Sequence, residues 1–464
     1  MPDNSQNIAE QSTVFPPIKK EGGKYVAFNE NGKPLIMVIG VGGGGGNAVS
    51  HMFDQQIEGV DFVLANTDNQ QLNSSHVPRK ILLGPKTCRG LGAGAKPEKG
   101  RQAAEESEEE IRALFDDSIK MVFITAGMGG GTGTGAAPVI ARIARELGIL
   151  TIGIVTIPFL FEGRNKILKA LDGADKLQEN TDAILRINNQ RLNEIYPDLQ
   201  FDDAFAKADD TLTNAAKSIS DMINMIGKTN LDFEDVNTTL RDGGTAIISS
   251  GYGEGENRIR EAIIDALNSP LLKDQNVKTS AKFLFNVYYS TKAERKFLMG
   301  EMDQMDNFMA EFNPNVDVIW GRSVDDTLGN KVKITILASG FERNTGESNL
   351  PKPKTGKAYE DKGQPEKAIS DAERIEQAYG HDTIIRRESE AAASRYIVLT
   401  RDQIDNETII SFLEKNPTIR RGNDMSLQQE WKEISTAETK PHEERQQTIV
   451  AEAKNKRQIN FDNN

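Results

Sequence analysis

The sequence predicts an α/β protein: a parallel-sheet domain that binds phosphate, a long central helix, a second α+β domain, and a C-terminal tail disordered by composition. Three observations carry this prediction. Short apolar runs alternate with amphipathic stretches through residues 34–201, the pattern of a parallel sheet covered on both faces. Several of these runs end in glycine-rich turns. Residues 201–226 then set Phe205, Leu212, Ala215, Ala216, Ile219, Met222, Ile223 and Ile226 at helical spacing on one wide apolar face.

Residues 1–33 are polar, punctuated by Gly and Asn, and read as a mobile extension. From Pro34 the texture changes. Residues 35–40 are a strand, 42–46 a turn and 47–56 a helix. Short strands follow at 62–65 and 81–83, then a helix at 98–115. A strand at 121–126 leads through a glycine run into a helix at 136–147, with Pro138 tolerated in its first turns. Strands at 151–157 and 183–187 flank a helix at 166–180. So broad an apolar face on 201–226 suits a helix between two domains, or the core of a bundle. Past a Gly243-Gly244 break come strands at 245–250, 283–290, 316–320 and 332–338 and a helix at 257–268. The boundaries that follow are an extension 1–33, a first domain 34–201, a central helix 202–229, a second domain 230–342 and a tail 343–464.

The run Gly127-Met128-Gly129-Gly130-Gly131-Thr132-Gly133-Thr134-Gly135 is clamped between an apolar strand and a helix. A helix N-terminus offers unpaired N–H groups and a positive dipole end. Glycine lets the backbone approach an anion closely, and the hydroxyls of Thr132 and Thr134 add donors, so the run reads as a phosphate cradle. Further glycine loops occur at 40–46 and 90–94. Gly40, Gly42 and Gly45 satisfy GxGxxG, which opens a dinucleotide-dependent oxidoreductase as an alternative. Several glycine turns suit a long polyphosphate better, and no His or Lys constellation for hydride chemistry stands out. The GxxxxGK[ST] pattern does not occur.

Composition excludes other classes. A net charge of −13 argues against nucleic acid as the main partner, because phosphate-tracking surfaces need concentrated Lys and Arg. The single cysteine, Cys88, admits no internal disulfide, suits a reducing cytoplasm, and reads as an incidental thiol near a loop. No apolar run is long enough for a membrane span, so no direct membrane insertion is expected, and the N-terminus lacks a signal pattern. Four histidines make a His-rich metal site unexpected, and no protein-held metal is assigned.

Residues 40–47, Asn66-Thr67-Asp68, Gly90-Leu91-Gly92-Ala93-Gly94-Ala95, the GGGTGTG run, Phe161-Glu162-Gly163 and Asn230-Leu231-Asp232-Phe233-Glu234-Asp235 stand in an order and spacing that resemble FtsZ, the bacterial tubulin-like cell-division GTPases. The resemblance covers roughly 34–342. It implies a tubulin/FtsZ-like fold with a GTP-binding first domain, GTP and GDP as ligands with Mg2+, and polymerisation-dependent GTP hydrolysis. It implies that Gly43, Gly44, Gly45, Gly129, Gly130, Gly131 and Gly133 hold phosphates, with Thr132 and Thr134 beside them. Asn47, Asn189, Phe205 and Asp210 align with base-contacting positions. One carboxylate accepts both N–H donors of guanine's Watson–Crick edge and would repel adenine's acceptor, which agrees for Asp210. Glu162 aligns with a ribose- or phosphate-proximal position. Lys166 stands where the family commonly has Arg, and lacks its bidentate fork; Arg164 is a candidate to compensate.

By the same resemblance, Asn230, Asp232 and Asp235 form the catalytic loop that enters the nucleotide site of the next subunit, where two carboxylates position an attacking water. Hydrolysis then requires head-to-tail stacking, a heterologous contact that gives filaments. The implied partners are the chain itself and, through the tail, membrane-adaptor and division-regulator proteins. The implied location is the cytoplasm, at the midcell division site. A tubulin-like GTPase of DNA partitioning or cell shape is the second reading. The tail carries two apolar islands, 396–399 and 409–413. It ends in a basic-apolar stretch, 454–464, without the family's usual Ile-Pro-x-Phe spelling.

Overall fold

Among the described residues eleven strands form one sheet, and its order explains how two domains share one molecule. The computed structural model describes residues 18–21, 24–27, 33–57, 59–195, 198, 200–224, 227–229, 231–268, 277–310, 312, 316–341, 370–381, 383–385, 387 and 407–415. Strands β1 (Ile18–Glu21) and β2 (Lys24–Ala27) make a separate antiparallel hairpin within the segment read as a mobile extension.

The first domain alternates as its periodicity predicts. In chain order it runs β3 (Ile36–Val41), α1 (Gly42–Asp54), β4 (Val60–Asn66), α2 (Asn69–Ser74), β5 (Arg79–Leu82), α3 (Pro97–Glu106), α4 (Glu108–Arg112), β6 (Met121–Gly127), α5 (Thr132–Glu146), β7 (Leu150–Ile157), α6 (Arg164–Glu179), β8 (Ala183–Asn188) and α7 (Asn189–Ile195). The six strands are parallel in the order β5-β4-β3-β6-β7-β8. They are apolar along their length because both faces are covered; β3 is buried at every position.

Two local expectations change, and one residue is placed. The helix expected over 98–115 breaks at Ser107 into α3 and α4, and Ser107 spends its hydroxyl on the Gly84 N–H at 3.0 Å. Helix α5 starts at Thr132, so Pro138 lies inside it and leaves the Thr134 carbonyl without its helical N–H. Cys88 is buried, 2 % exposed, and burial pushes its thiol up.

Helix α8 (Phe201–Asn224) is the long central helix. Leu212, Ala215, Ala216, Ile219 and Met222 join one core with Leu150, Ile152 and Leu185 of the first domain and with Ala246, Ile248, Leu284 and Leu337 of the second. The interdomain reading of its broad apolar face therefore holds, and the bundle alternative does not.

The second domain comprises β9 (Gly227–Thr229), α9 (Phe233–Leu240), β10 (Gly244–Gly253), α10 (Arg258–Leu267), β11 (Lys282–Tyr289), α11 (Asp303–Met309), β12 (Asp317–Val324) and β13 (Val332–Ser339). Its strands continue the first sheet through two residue pairs, Gly244 with Ala183 and Thr245 with Ile184. Alternate residues of β11 serve two cores. Leu284 faces α8, while Phe283, Phe285 and Val287 pack with Ile259, Ile263, Met305 and Phe312.

Within the tail read as disordered by composition, α12 (Asp371–Tyr379) and α13 (Glu407–Lys415) are described. Island 409–413 lies in α13, with Ile409 and Phe412 buried; island 396–399 and the terminal 454–464 lie outside the described residues. The chain divides into two compact units, Met1–Ala378 and Tyr379–Asn464.

Candidate functional site

Strand register builds the site. Val41 pairs with both Ala65 and Ala126, Gly127 with Thr156, and Ile157 with Asn188. The turns after β3, β4, β6, β7 and β8 therefore open side by side at the carboxyl edge of the sheet, where parallel α/β sheets bind ligands. Gly43, Gly44, Gly45, Asn66–Asp68, the 127–131 loop, Glu162 and Asn189 all stand on that edge.

Two helices aim uncapped N-termini into it. The chain enters α1 at Gly42, so Gly43, Gly44 and Gly45 form its first turn rather than the separate turn expected at 42–46. Neither Val41 before α1 nor Gly131 before α5 makes a side-chain cap. Both helices thus leave N–H groups for an anion.

Each glycine has its own reason. A Cβ on Gly45 would collide with the Thr125 carbonyl. One on Gly44 would sit 3.1 Å from Gly127 Cα, and one on Gly133 2.8 Å from the Gly127 carbonyl. Gly129 has φ +97° and packs against Lys166. Gly131 is closed off by the neighbouring loop, with Ala93 Cβ at 2.8 Å and Lys96 N at 2.9 Å from a Cβ placed there. Gly130 alone in this loop faces open space, with nothing within 4 Å of such a Cβ.

The two threonines brace the cradle. Thr134 Oγ1 accepts the Gly129 N–H at 2.8 Å, and Thr132 Oγ1 meets Thr67 Oγ1 at 2.6 Å. The third glycine loop closes over the same edge. Gly90, Gly92 and Gly94 have positive φ, the Gly92 N–H donates to the Thr67 carbonyl at 3.0 Å, and the Asn69 N–H donates to the Gly90 carbonyl at 3.0 Å. That loop leaves Leu91 83 % exposed; across the edge Phe161 is 61 % exposed and stacks on Phe159 at 5.3 Å.

At one end of the cradle, α7 and α8 supply the base-side candidates. Asn189 is buried and its Oδ1 has no hydrogen-bond partner among the described residues. A buried acceptor left open is costly unless a ligand donor meets it. Asp210 lies half-buried on α8, with Oδ1 2.8 Å from His51 Nε2 and Oδ2 3.5 Å from Lys207 Nζ. A carboxylate only accepts, so the ring nitrogen donates. His51 was missed from sequence; its signal is position i+4 from Asn47, on the same face of α1. Asn47 is exposed on that face. Phe205 lies in α8 at the expected place, but its side chain is outside the described residues.

Next to Asp210, burial pushes the Asp209 carboxyl up to about 6, with His51 opposing the shift and Asp210 adding to it. The folded state then holds this proton more tightly than the unfolded chain. The stability that this provides is full below the unfolded value near 3.8 and is lost as pH rises through about 6. We expect Asp209→Asn to be more stable than the parent at pH 8, by about 2–3 kcal/mol at most. The gain should vanish at pH 4, as read from urea midpoints at the two pH values.

Glu162 and Lys166 flank the 129 turn. Glu162 Oε1 accepts the Phe159 N–H at 2.8 Å, and Oε2 pairs with Lys166 Nζ. Arg164 stands 3.8 Å from Asp371, so it is engaged by α12 rather than turned toward the cradle.

The acidic pair lies elsewhere. Asp232 is the N-cap of α9, and the two acids form a reciprocal capping box. Asp232 Oδ1 accepts the Asp235 N–H at 3.0 Å, and Asp235 Oδ2 accepts the Asp232 N–H at 2.9 Å. The second oxygen of each carboxylate is not used by the box. Asn230 falls outside the described residues. The end of α9 is anchored by Arg241 to Asp182 at 3.2 Å, just before β8 begins. That is the amino edge of the parallel strands, away from the glycine turns. The structure therefore gathers the phosphate and base candidates at one edge and keeps Asp232 and Asp235 apart from them.

Comparison with known proteins identifies the family. The family model for the GTPase domain of the Tubulin/FtsZ family matches residues 35–197, and that for the FtsZ family C-terminal domain matches 244–342. The cell division protein FtsZ of Porphyromonas gingivalis is 48% identical over 401 residues, covering 85% of this chain and 87% of its own. That of Pseudomonas aeruginosa is 39% identical, covering 82% of this chain and 96% of its own. A solved FtsZ dimer of Methanocaldococcus jannaschii superposes with a TM-score of 0.61 at 37% identity, covering 70% of this chain and 96% of that one. The GTPγS-bound CetZ2 protofilament of Haloferax volcanii, at 21% identity and a TM-score of 0.57, shares the fold. With two family models in chain order and close relatives matched over most of their length, the chain belongs to the FtsZ family of tubulin-like cell-division GTPases.

Proposed function

We propose that the chain binds GTP across the carboxyl edge of its first domain and hydrolyses it only when the Asp232–Asp235 loop of a neighbouring subunit completes the site. The observation that carries this reading is the separation of the two half-sites. Helix α8 has 24 residues, about 36 Å at ~1.5 Å per residue. The acids lie past its C-terminal end, while Asp210 stands in its first half. One subunit does not bring both halves together, whereas a head-to-tail neighbour does.

In this reading the N–H groups opening α1 and α5 and the 129–131 loop hold the phosphates. Glu162 and Lys166 border the ribose and phosphate, and Asn47, Asn189, Phe205 and Asp210 receive the base. A Mg2+ arriving with the triphosphate would supply charge neutralisation on the phosphates; among the described residues no cluster of His, Cys, Asp or Glu is placed to hold it alone. The unused oxygens of Asp232 and Asp235, together with Asn230, orient the attacking water, and a carboxylate takes its proton. Head-to-tail repetition gives a filament, because a heterologous contact of this kind does not close on itself.

The division proteins among the relatives favour a ring at midcell, in the cytoplasm, over DNA partitioning or cell shape. The acidic net charge supports a role without nucleic acid. The tail beyond residue 343 is the segment available to membrane adaptors and division regulators. Sedimentation with GTP, GDP and ATP tests the whole reading. Pelleting and phosphate release are expected with GTP alone, and equal response to ATP overturns it.

The base assignment has its own measurement. Asp210 facing adenine's acceptor would lose its donors, a cost of about 1–3 kcal/mol or more. Equilibrium binding should favour GTP over ATP by at least about fivefold. Asp210→Asn, whose amide offers both a donor and an acceptor, should narrow that gap; an unchanged ratio would remove Asp210 from base recognition.

A further inference from the structure

We propose that residues 370–378 are a strap that docks on the acidic face of α6 and fastens the C-terminal tail to the first domain. Four contacts along one short helix point to this. Arg374 forks onto two acids one turn apart on α6, with Nη1 donating to Asp172 Oδ1 at 2.7 Å and Nη2 to Asp175 Oδ2 at 2.9 Å. At the start of the strap, Asp371 stands 3.8 Å from Arg164. At its end, Asn188 Nδ2 donates to the Ala378 carbonyl at 2.7 Å, satisfying one of the carbonyls that a helix terminus leaves open. Arg186, on the neighbouring strand, holds Asp175 Oδ1 at 2.8 Å, so Asp175 is shared between a fixed arginine and the strap's.

The sequence prepares the segment to form. Ser370-Asp371-Ala372-Glu373 is a capping box, with the Ser370 N–H donating to Glu373 Oε2 at 2.8 Å and the Glu373 N–H donating to Ser370 Oγ at 3.3 Å. A helix of nine residues is marginal alone in water, so its persistence depends on the surface it meets. Arginine, not lysine, suits that surface, because only the planar guanidinium reaches both carboxylates at once.

The consequence is geometric. The second domain's last strand ends at Ser339, whereas the docked strap ends at Ala378, beside Asn188 and the turn that carries Asn189. The ion pairs are partly exposed, with Asp172 55 % and Asp175 46 % open, so the contact is salt-sensitive and reversible. The acidic face of α6 is covered in the docked state and bare in the released one.

Hydrogen exchange on the full-length chain, kept below its assembly concentration, tests the proposal. Amides of 374–378 should exchange at least about tenfold more slowly than an unstructured peptide, and high salt should remove that protection. Arg374→Glu should abolish it while leaving exchange in β6 and β7 unchanged. Adding Asp172→Arg to Arg374→Glu should restore part of it. Unprotected amides in the parent chain, or protection indifferent to Arg374→Glu, overturn the strap. Protection that appears only on assembly overturns docking on the chain's own α6.

Discussion

Gly130→Asp loses GTP binding by roughly a thousandfold and keeps its fold. A Cβ at this position meets nothing within 4 Å and the backbone does not need positive φ, so the substitution itself introduces no clash. What it adds is a carboxylate in the loop between β6 and α5, where phosphate oxygens are expected. Two unit charges about 4 Å apart repel by about 4 kcal/mol at an effective dielectric near 20, which is about three decades of affinity. Gly130→Ala is the control and should bind within a few-fold of the parent. Gly131 would be a poor choice, because any side chain there strikes Ala93 and Lys96 and confounds loop packing with charge. Unchanged circular dichroism with normal GTP affinity in Gly130→Asp would show that phosphate does not sit in this loop.

Asp232→Asn and Asp235→Asn each lower GTP turnover by about a hundredfold or more while nucleotide affinity and filament formation persist. Asparagine is chosen because both acids already serve the helix that carries them. The capping box holds the start of α9, and Asp232→Ala would cost about 1 kcal/mol of local stability along with the charge. Asparagine is as good an N-cap as aspartate, so Asp232→Asn separates chemistry from folding. A complementation experiment then tests whether the site is shared. Asp232→Asn keeps an intact cradle with a disabled loop, and Gly130→Asp keeps an intact loop with a disabled cradle. Each alone should be nearly inactive, and the mixture should regain hydrolysis where the second caps the first. A mixture that co-sediments but stays inactive, or a dilute monomer that hydrolyses at the filament rate, is incompatible with the shared site.

Much of the architecture was legible because it is written in local patterns. Apolar runs bounded by glycine turns give the parallel strands. The wide apolar stripe from Leu212 to Met222 gives a helix buried on two sides. The GGGTGTG run between strand and helix gives an anion site, since a helix N-terminus does not depend on what lies elsewhere in the chain. Together with the spacing of the other motifs, these residues alone were enough to identify the family.

Other features needed the folded chain. Sequence patterning separated two domains but did not show that Gly244 and Thr245 pair with Ala183 and Ile184 and make one continuous sheet. His51 and Asp210 are brought within 2.8 Å from positions 159 apart. Asp232 and Asp235, read from sequence as the acids of a catalytic loop, are also tied to each other's backbone. Gly130 and Gly131 are indistinguishable as letters, yet one faces open space and the other a packed loop. Arg374 lies in a stretch whose composition predicts disorder, and its two carboxylate partners stand 202 and 199 residues earlier. The difference has one physical cause. Periodicity, capping and turn chemistry act over a few residues and can be read along the chain. Register between distant strands, the direction in which a Cβ points, and the partner a charge finds are set only when the elements pack.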